Sequence, residues 1–137
     1  MDNLPLFVYG TLRPGSKKYS LLRYAVEPGR TLTAELPSYQ MYSIGRFPGI
    51  VSDDRAVKPV QGDLLWIDTL RYAQTLDRLD RYEGEGYTFH RIAVTVFAKL
   101  TRHQESAWVY VVNPKVLRID FSNKIESNDW FQVAYRD

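Results

Sequence analysis

"VQGDLLWIDTLRYAQTLDRLDRYEG", residues 60–84, changes its hydrophobic period midway, and that change decides the fold class. Val60 to Ile67 is a short apolar and aromatic run of the length of one strand. From Asp68 to Gly84 the period lengthens to that of a helix. At about 100° per residue, Tyr72, Ala73, Leu76 and Leu79 share one face, while Arg71, Gln74, Thr75, Arg78 and Arg81 cover most of the rest. Asp68 or Thr69 can cap the start by accepting a hydrogen bond from a first-turn amide, and Gly84 or Gly86 can end the helix.

Strand-like runs dominate the remainder: Leu4 to Tyr9, Leu32 to Ile44 interrupted at Pro37, His90 to Leu100 and Ala107 to Val112. In "RIAVTVF", residues 91–97, Ile92, Val94 and Val96 alternate with Arg91, Ala93 and Thr95, which is the period of a sheet. Turn signals at Pro14-Gly15, Pro28-Gly29, Pro48-Gly49, Asp53-Asp54 and Asn113-Pro114 separate the runs. No repeat, low-complexity tract or linker intervenes. The expectation is an α+β fold with one main helix, residues 1–137 forming one compact domain around one core.

Composition narrows the function classes. With 45% hydrophobic and 25% charged residues the chain matches an ordinary globular protein, and ten Tyr with three Trp suit sheet surfaces and pocket walls. The net charge of +2 is spread along the chain, with no basic block of the kind that marks nucleic-acid binding. No apolar run approaches the roughly 20 residues of a membrane span, and the N-terminus lacks the pattern of a signal peptide. A cytoplasmic location is therefore expected, with neither nucleic acid nor membrane as partner. Zero Cys excludes disulfides, thiolate metal sites and Cys nucleophiles. His90 and His103 are separated by a strand-like run and lack carboxylates at ligand spacing, so no metal site is expected. Trp66, Trp108, Tyr110 and Trp130 are dispersed in the manner of core and rim aromatics rather than of a stacking platform.

Glu83 stands out on the helix. It falls near the centre of the apolar stripe, one turn beyond Leu79, where a leucine would be expected. If the stripe packs, loss of water and the carbonyls of the helix C-terminus both disfavour the anion and raise its pKa. A carboxyl shifted toward neutrality accepts a proton readily and can return it. The competing reading is a frayed helix end, with Glu83 in solvent or paired with Arg81 or Arg91. Asp77 on the helix flank and Asp80 at the stripe's edge are weaker contenders for an acidic role.

The second unusual stretch is "LFVYGTLRPG", residues 6–15. Gly10 and Gly15 have the spacing of a phosphate-binding P-loop, but Ser16-Lys17 reverses the order such a loop needs, and Pro14 lacks an N–H. Nucleotide binding is rejected on that ground. A strand ending at Tyr9 is left, with Gly10 open to close approach and the Thr11 and Leu12 amides able to face an anion or a polarised carbonyl. A plain strand-to-turn connection fits the same residues.

Six segments together resemble the gamma-glutamylcyclotransferase-like family, which includes the gamma-glutamylamine cyclotransferases of the AIG2-like group. They are "VYGTLRPG" (8–15), "FPGI" (47–50), "VQGDLLWI" (60–67), "LDRLDRYEG" (76–84), "AWVYV" (107–111) and "IESNDW" (125–130). The first and fourth are the specific ones. The resemblance implies a small mixed barrel-like β-sheet with few helices. It also implies that Tyr9, Gly10, Thr11 and Leu12 form a substrate-binding loop and that Glu83 is the catalytic acid/base. The implied reaction, intramolecular and free of cofactors, converts a small L-gamma-glutamyl amine or peptide to 5-oxoproline and an amine. Phe89 stands where family members commonly have Tyr, and Glu85-Gly86 alter the lead-in, so a hydroxyl role there is not carried over. Arg13 and Tyr110 are given no role. A non-catalytic small-ligand binding module of the same fold is the alternative.

Overall fold

In the strand Leu6–Val8 (β1) every residue is buried, because its two faces serve different cores. Leu6 and Val8 pack with Leu65, Leu79, Phe89 and Val112, whereas Phe7 packs with Leu64, Val96 and Val109. A strand covered on both sides has no polar face, hence the unbroken apolar run. The same division recurs along the chain, with Leu64 in one cluster and Leu65 in the other, and Val109 opposed to Tyr110.

The structure is a computed structural model that describes residues 3–84 and 88–134. After β1 come β2 (Val26–Leu36), β3 (Tyr39–Ile44), β4 (Phe47–Ser52), β5 (Val60–Ile67), α1 (Tyr72–Glu83), β6 (Phe89–Ala98), β7 (Gln104–Val112) and α2 (Trp130–Ala134). Strands β1, β5, β2, β6 and β7 close in that order into a barrel. Its neighbours are antiparallel except at the seam, where β1 meets β7 in parallel at Leu6 and Trp108. Strands β3 and β4 form a separate hairpin. The expected α+β fold, a small mixed barrel with one main helix, is what the chain adopts. No helix among the described residues is long and apolar enough to cross a membrane.

Two proline-glycine pairs expected as turns lie within strands. Pro48-Gly49 is inside β4, and Pro28-Gly29 is inside β2, where the pairing with β5 shifts register between Val26 and Thr31. At Gly49 the requirement is close approach: a Cβ there would collide with Ile44 and Val112, so the missing side chain lets the hairpin lie against β7. The helix begins and ends as expected. The Asp68 carboxylate accepts from the Leu70 amide at 2.8 Å over a short 3-10 turn, Thr69–Arg71, that feeds α1. Gly84, in the left-handed conformation at φ 66°, closes α1 by donating its amide to the Arg81 and Asp80 carbonyls. The buried face differs by one position from the expected one. Thr75 is buried with Leu76 and Leu79, while Ala73 is exposed. Residues 72, 75, 76, 79 and 83 then follow helical spacing more closely, and the face still ends on Glu83.

Beyond β7 the chain returns across the barrel, and fully buried Asn128 fixes it there. Its side-chain carbonyl accepts from Gln40 Nε2 at 2.8 Å and the Met41 amide at 2.7 Å; its amide donates to the carbonyls of Tyr39 and Lys58. The adjacent Asp129 accepts from Arg13 Nη1 at 3.3 Å, while Arg13 Nε donates to Asp63 Oδ2 at 2.7 Å. The guanidinium also lies 3.9 Å from the Phe131 ring centroid. Arg13 therefore joins the first loop, β5 and the C-terminal segment.

The Arg13 and Asp63 side chains are about nine-tenths buried, so removing the cation strands a carboxylate away from water. Arg13→Ala should cost about 3 kcal/mol in urea unfolding. Arg81→Ala, which breaks an exposed pair with Asp77, should cost less than about 1 kcal/mol in the same assay.

Candidate active site

The loop after β1 is shaped by its own carbonyls. Gly10 O accepts from the Arg13 amide at 3.1 Å, and Thr11 O accepts from the Lys18 amide at 2.9 Å, which folds the segment back on itself. The amides of Gly10, Thr11 and Leu12 donate to no protein acceptor among the described residues. Backbone donors in a folded protein rarely go without a partner, so three in succession beside a cavity form a ready seat for an oxygen-bearing ligand. Gly10 allows the loop to close on β4: a Cβ there would lie 2.7 Å from Pro48 Cγ.

A pocket of about 510 Å3 opens beside this loop. Tyr9, Gly10, Thr11 and Leu12 form one side, Phe47 and Pro48 of β4 another, and Glu83 with Gly84 at the end of α1 a third. Phe89 and Tyr110 complete the wall. All five residues singled out in the sequence thus line one cavity, although Glu83 is more than 70 positions from the loop in the chain.

Glu83 is the sole carboxylate among the described residues of that lining. It forms no hydrogen bond or ion pair among the described residues, because its expected partners are engaged elsewhere. Arg81 pairs with Asp77 at 2.6 Å, and Arg91 pairs with Asp80 at 2.8 Å. Loss of water on burial raises the Glu83 pKa from 4.5 to about 7. Burial is the cause found; of the helix-end carbonyls expected to add to it, two are engaged by the Gly84 amide.

Two tyrosines flank the carboxylate. Burial first, and the Glu83 charge second, push the Tyr9 phenol well above its ordinary range. Its hydroxyl donates to the Tyr110 carbonyl at 2.6 Å, so Tyr9 props the wall and is not a free donor for a ligand. Tyr110 donates to Asp80 Oδ1 at 2.7 Å, and burial followed by that bond holds its proton firmly. Arg91 grips both oxygens of Asp80 and stacks 4.5 Å from the Trp108 ring centroid. Asp80, weighed as an acidic candidate, is therefore the clamp that fixes the end of α1 against β6 and β7. Arg13, left unassigned, is a clamp behind the loop and does not line the pocket.

Phe89 is buried in the pocket wall, its ring 6.1 Å from that of Phe47, so this wall is apolar where a hydroxyl would otherwise stand. Glu85 and Gly86 lie outside the described residues. The four scattered aromatics form no platform: Trp130 is core, Tyr110 is pocket wall, and Trp66 and Trp108 lie beneath Arg30 and Arg91. Reading the sequence missed Lys17, Lys18, Arg46 and Arg81, four cations on the pocket lining that no motif gathers.

Known proteins carry the same arrangement of chain. The family model described as gamma-glutamyl cyclotransferase, AIG2-like, matches residues 6–132. A provisionally named gamma-glutamylcyclotransferase of Vibrio cholerae is 30% identical over 128 residues, covering 93% of this chain and 95% of the relative. In fold, the chain is similar to an AIG2-like protein from Mus musculus, with a TM-score of 0.68 and 20% identity over 90% of this chain and 86% of that one. It is also similar to YkqA from Bacillus subtilis, with a TM-score of 0.71 and 23% identity, covering 98% of this chain but only 43% of the larger protein. A family match over nearly the whole chain, backed by a relative of equal extent, shows that the chain belongs to the gamma-glutamyl cyclotransferase, AIG2-like family.

Proposed function

We propose that the protein is a cyclotransferase that converts a small L-gamma-glutamyl amine or peptide to 5-oxoproline and a free amine, with Glu83 as general acid/base. The observation that carries this reading is a carboxylate that, among the described residues, has no partner and lines the same pocket as three amides without acceptors. Membership of the family supports the reaction class.

The chemistry asks for little more. Glu83 takes a proton from the substrate's alpha-ammonium, and the freed amine attacks its own gamma-carbonyl carbon. A C–N bond closes the five-membered ring while the carbonyl electron pair moves onto oxygen. Collapse of that oxyanion restores the double bond and breaks the bond to the departing nitrogen, which leaves with the electron pair. From ammonium to lactam the ring nitrogen sheds two protons, and the departing amine takes them up, with Glu83 as relay. The step is redox-neutral and consumes no water. The Gly10, Thr11 and Leu12 amides offer donors to a substrate oxygen, either the alpha-carboxylate or the developing oxyanion. Holding the chain bent in the pocket supplies the proximity that ring closure needs.

Incubation with a panel of gamma-glutamyl amines and dipeptides should release 5-oxoproline, and Glu83→Gln should lower kcat by at least about 100-fold. For the wild type, kcat/KM should climb with pH through an acid limb near 7, where Glu83 ionises. Turnover unchanged in Glu83→Gln would remove Glu83 from the mechanism. Ligand-dependent thermal stabilisation without product from any compound would favour the non-catalytic binding module.

The same carboxyl sets a stability prediction. Its folded pKa lies above its ordinary 4.5, so the native state binds more protons than the unfolded chain between pH 4.5 and about 7. Stability therefore falls as pH rises through that window and levels off above it. Glu83→Gln removes the cost. Its stability relative to wild type should rise between about pH 5 and about pH 8, by no more than about 3 kcal/mol, measured by chemical denaturation at each pH.

A further inference from the structure

The polar groups of the pocket are unevenly divided by sign. Among the described lining residues, one carboxylate faces Lys17, Lys18, Arg46 and Arg81. Arg81 is matched by Asp77, but Lys17, Lys18 and Arg46 make no ion pair among the described residues. They also arrive from separate elements. Lys17 and Lys18 follow the Pro14-Gly15 corner, which the Lys18 amide ties back to Thr11 O at 2.9 Å, and Arg46 sits at the tip of the β3–β4 hairpin. All three are exposed. Glu83, the loop amides and the buried Tyr9 and Tyr110 form the deeper part of the same cavity.

A gamma-glutamyl group in that deeper part presents its ammonium to Glu83 and an oxygen to the loop amides. What projects toward the rim is the amine half of the substrate. Unpaired cations on a cleft rim raise the local concentration of anions and repel cations. We propose that Lys17, Lys18 and Arg46 are specificity-determining residues that select gamma-glutamyl compounds whose departing amine carries an anionic group. This rests on the cyclotransferase reading for its chemistry, but the charge selection acts at binding. It therefore separates substrates by KM, and salt weakens it.

The decisive comparison uses two compounds of nearly equal size, gamma-glutamylalanine and gamma-glutamylalaninamide, which differ in one carboxylate. In wild-type protein the acid should be favoured roughly ten-fold in kcat/KM, chiefly through KM, and raising ionic strength should shrink that ratio. The combined Lys17→Gln, Lys18→Gln, Arg46→Gln variant should bring the ratio close to one. Equal use of acid and amide by the wild type, or a preference that survives in the combined variant, would overturn the proposal and leave the cyclotransferase reading standing. Binding of both compounds to Glu83→Gln, read as thermal shift, separates the two ideas. If neither these two compounds nor any other of the gamma-glutamyl panel yields 5-oxoproline in the wild type, the cyclotransferase reading fails, while the shift still decides the rim: a larger shift with the acid supports it, and equal shifts overturn it.

Discussion

Arg13 Nε lies 2.7 Å from Asp63 Oδ2, and much of the pocket depends on that contact. A buried ion pair adds uncertain net stability, because taking both charges from water offsets most of their attraction. Its value here is positional. The guanidinium has a second carboxylate at Asp129 and an aromatic face at Phe131, so its plane is fixed from three directions. With Arg13 fixed, the turn it closes through Gly10 O is fixed as well, and the amides of residues 10 to 12, beside the cavity, donate to no acceptor among the described residues. Asn128, next in the chain to Asp129, anchors the partner segment to β3, and so the anchor is itself anchored.

The opposite wall is held by a second cluster of the same kind. Asp80 receives Arg91 through two bonds and the Tyr110 hydroxyl through a third, locking the last turn of α1 onto β6 and β7. Glu83 comes three residues later and pairs with neither cation. The nearby arginines thus satisfy other acids, and Glu83 has no partner among the described residues. Burial is why this carboxyl has a pKa near 7, while its helical neighbours are tied up in ion pairs.

What the sequence discloses follows from how local the determining physics is. Strand β5 and the helix limits are set by periodicity, by Asp68 and by Gly84, all within a few residues, and each is readable. Strand β4 was hidden because Pro48-Gly49 has turn chemistry. Its place in the hairpin depends on Gly49 admitting Ile44 and Val112, which is a tertiary contact. Glu83 was legible because it breaks an apolar stripe. The exchange of Ala73 for Thr75 on that stripe did not hide it, since a shift of one position leaves the same end residue facing inward. The roles of Arg13 and Asp80 were not legible, because their partners lie 50 and 30 positions away. The rim cations were invisible for the same reason: residues 17, 18 and 46 share a pocket only after the hairpin docks.

The raised pKa of Glu83 has a thermodynamic meaning for the proposed reaction. The first proton must leave an alpha-ammonium, a much weaker acid than an ordinary carboxyl. Raising the carboxyl from 4.5 to about 7 makes that transfer less uphill by about 3.4 kcal/mol. Burial therefore brings donor and acceptor closer to balance before any bond forms. An ammonium beside the carboxylate favours the ionised form of Glu83, so the substrate itself draws the base into its active state. The exposed rim cations do not register among the causes that set the Glu83 pKa, which burial alone decides. In the proposed reaction the deep and outer charges are thus separable: the inner carboxyl would govern proton transfer, and the rim would act on whatever the gamma-glutamyl group carries with it.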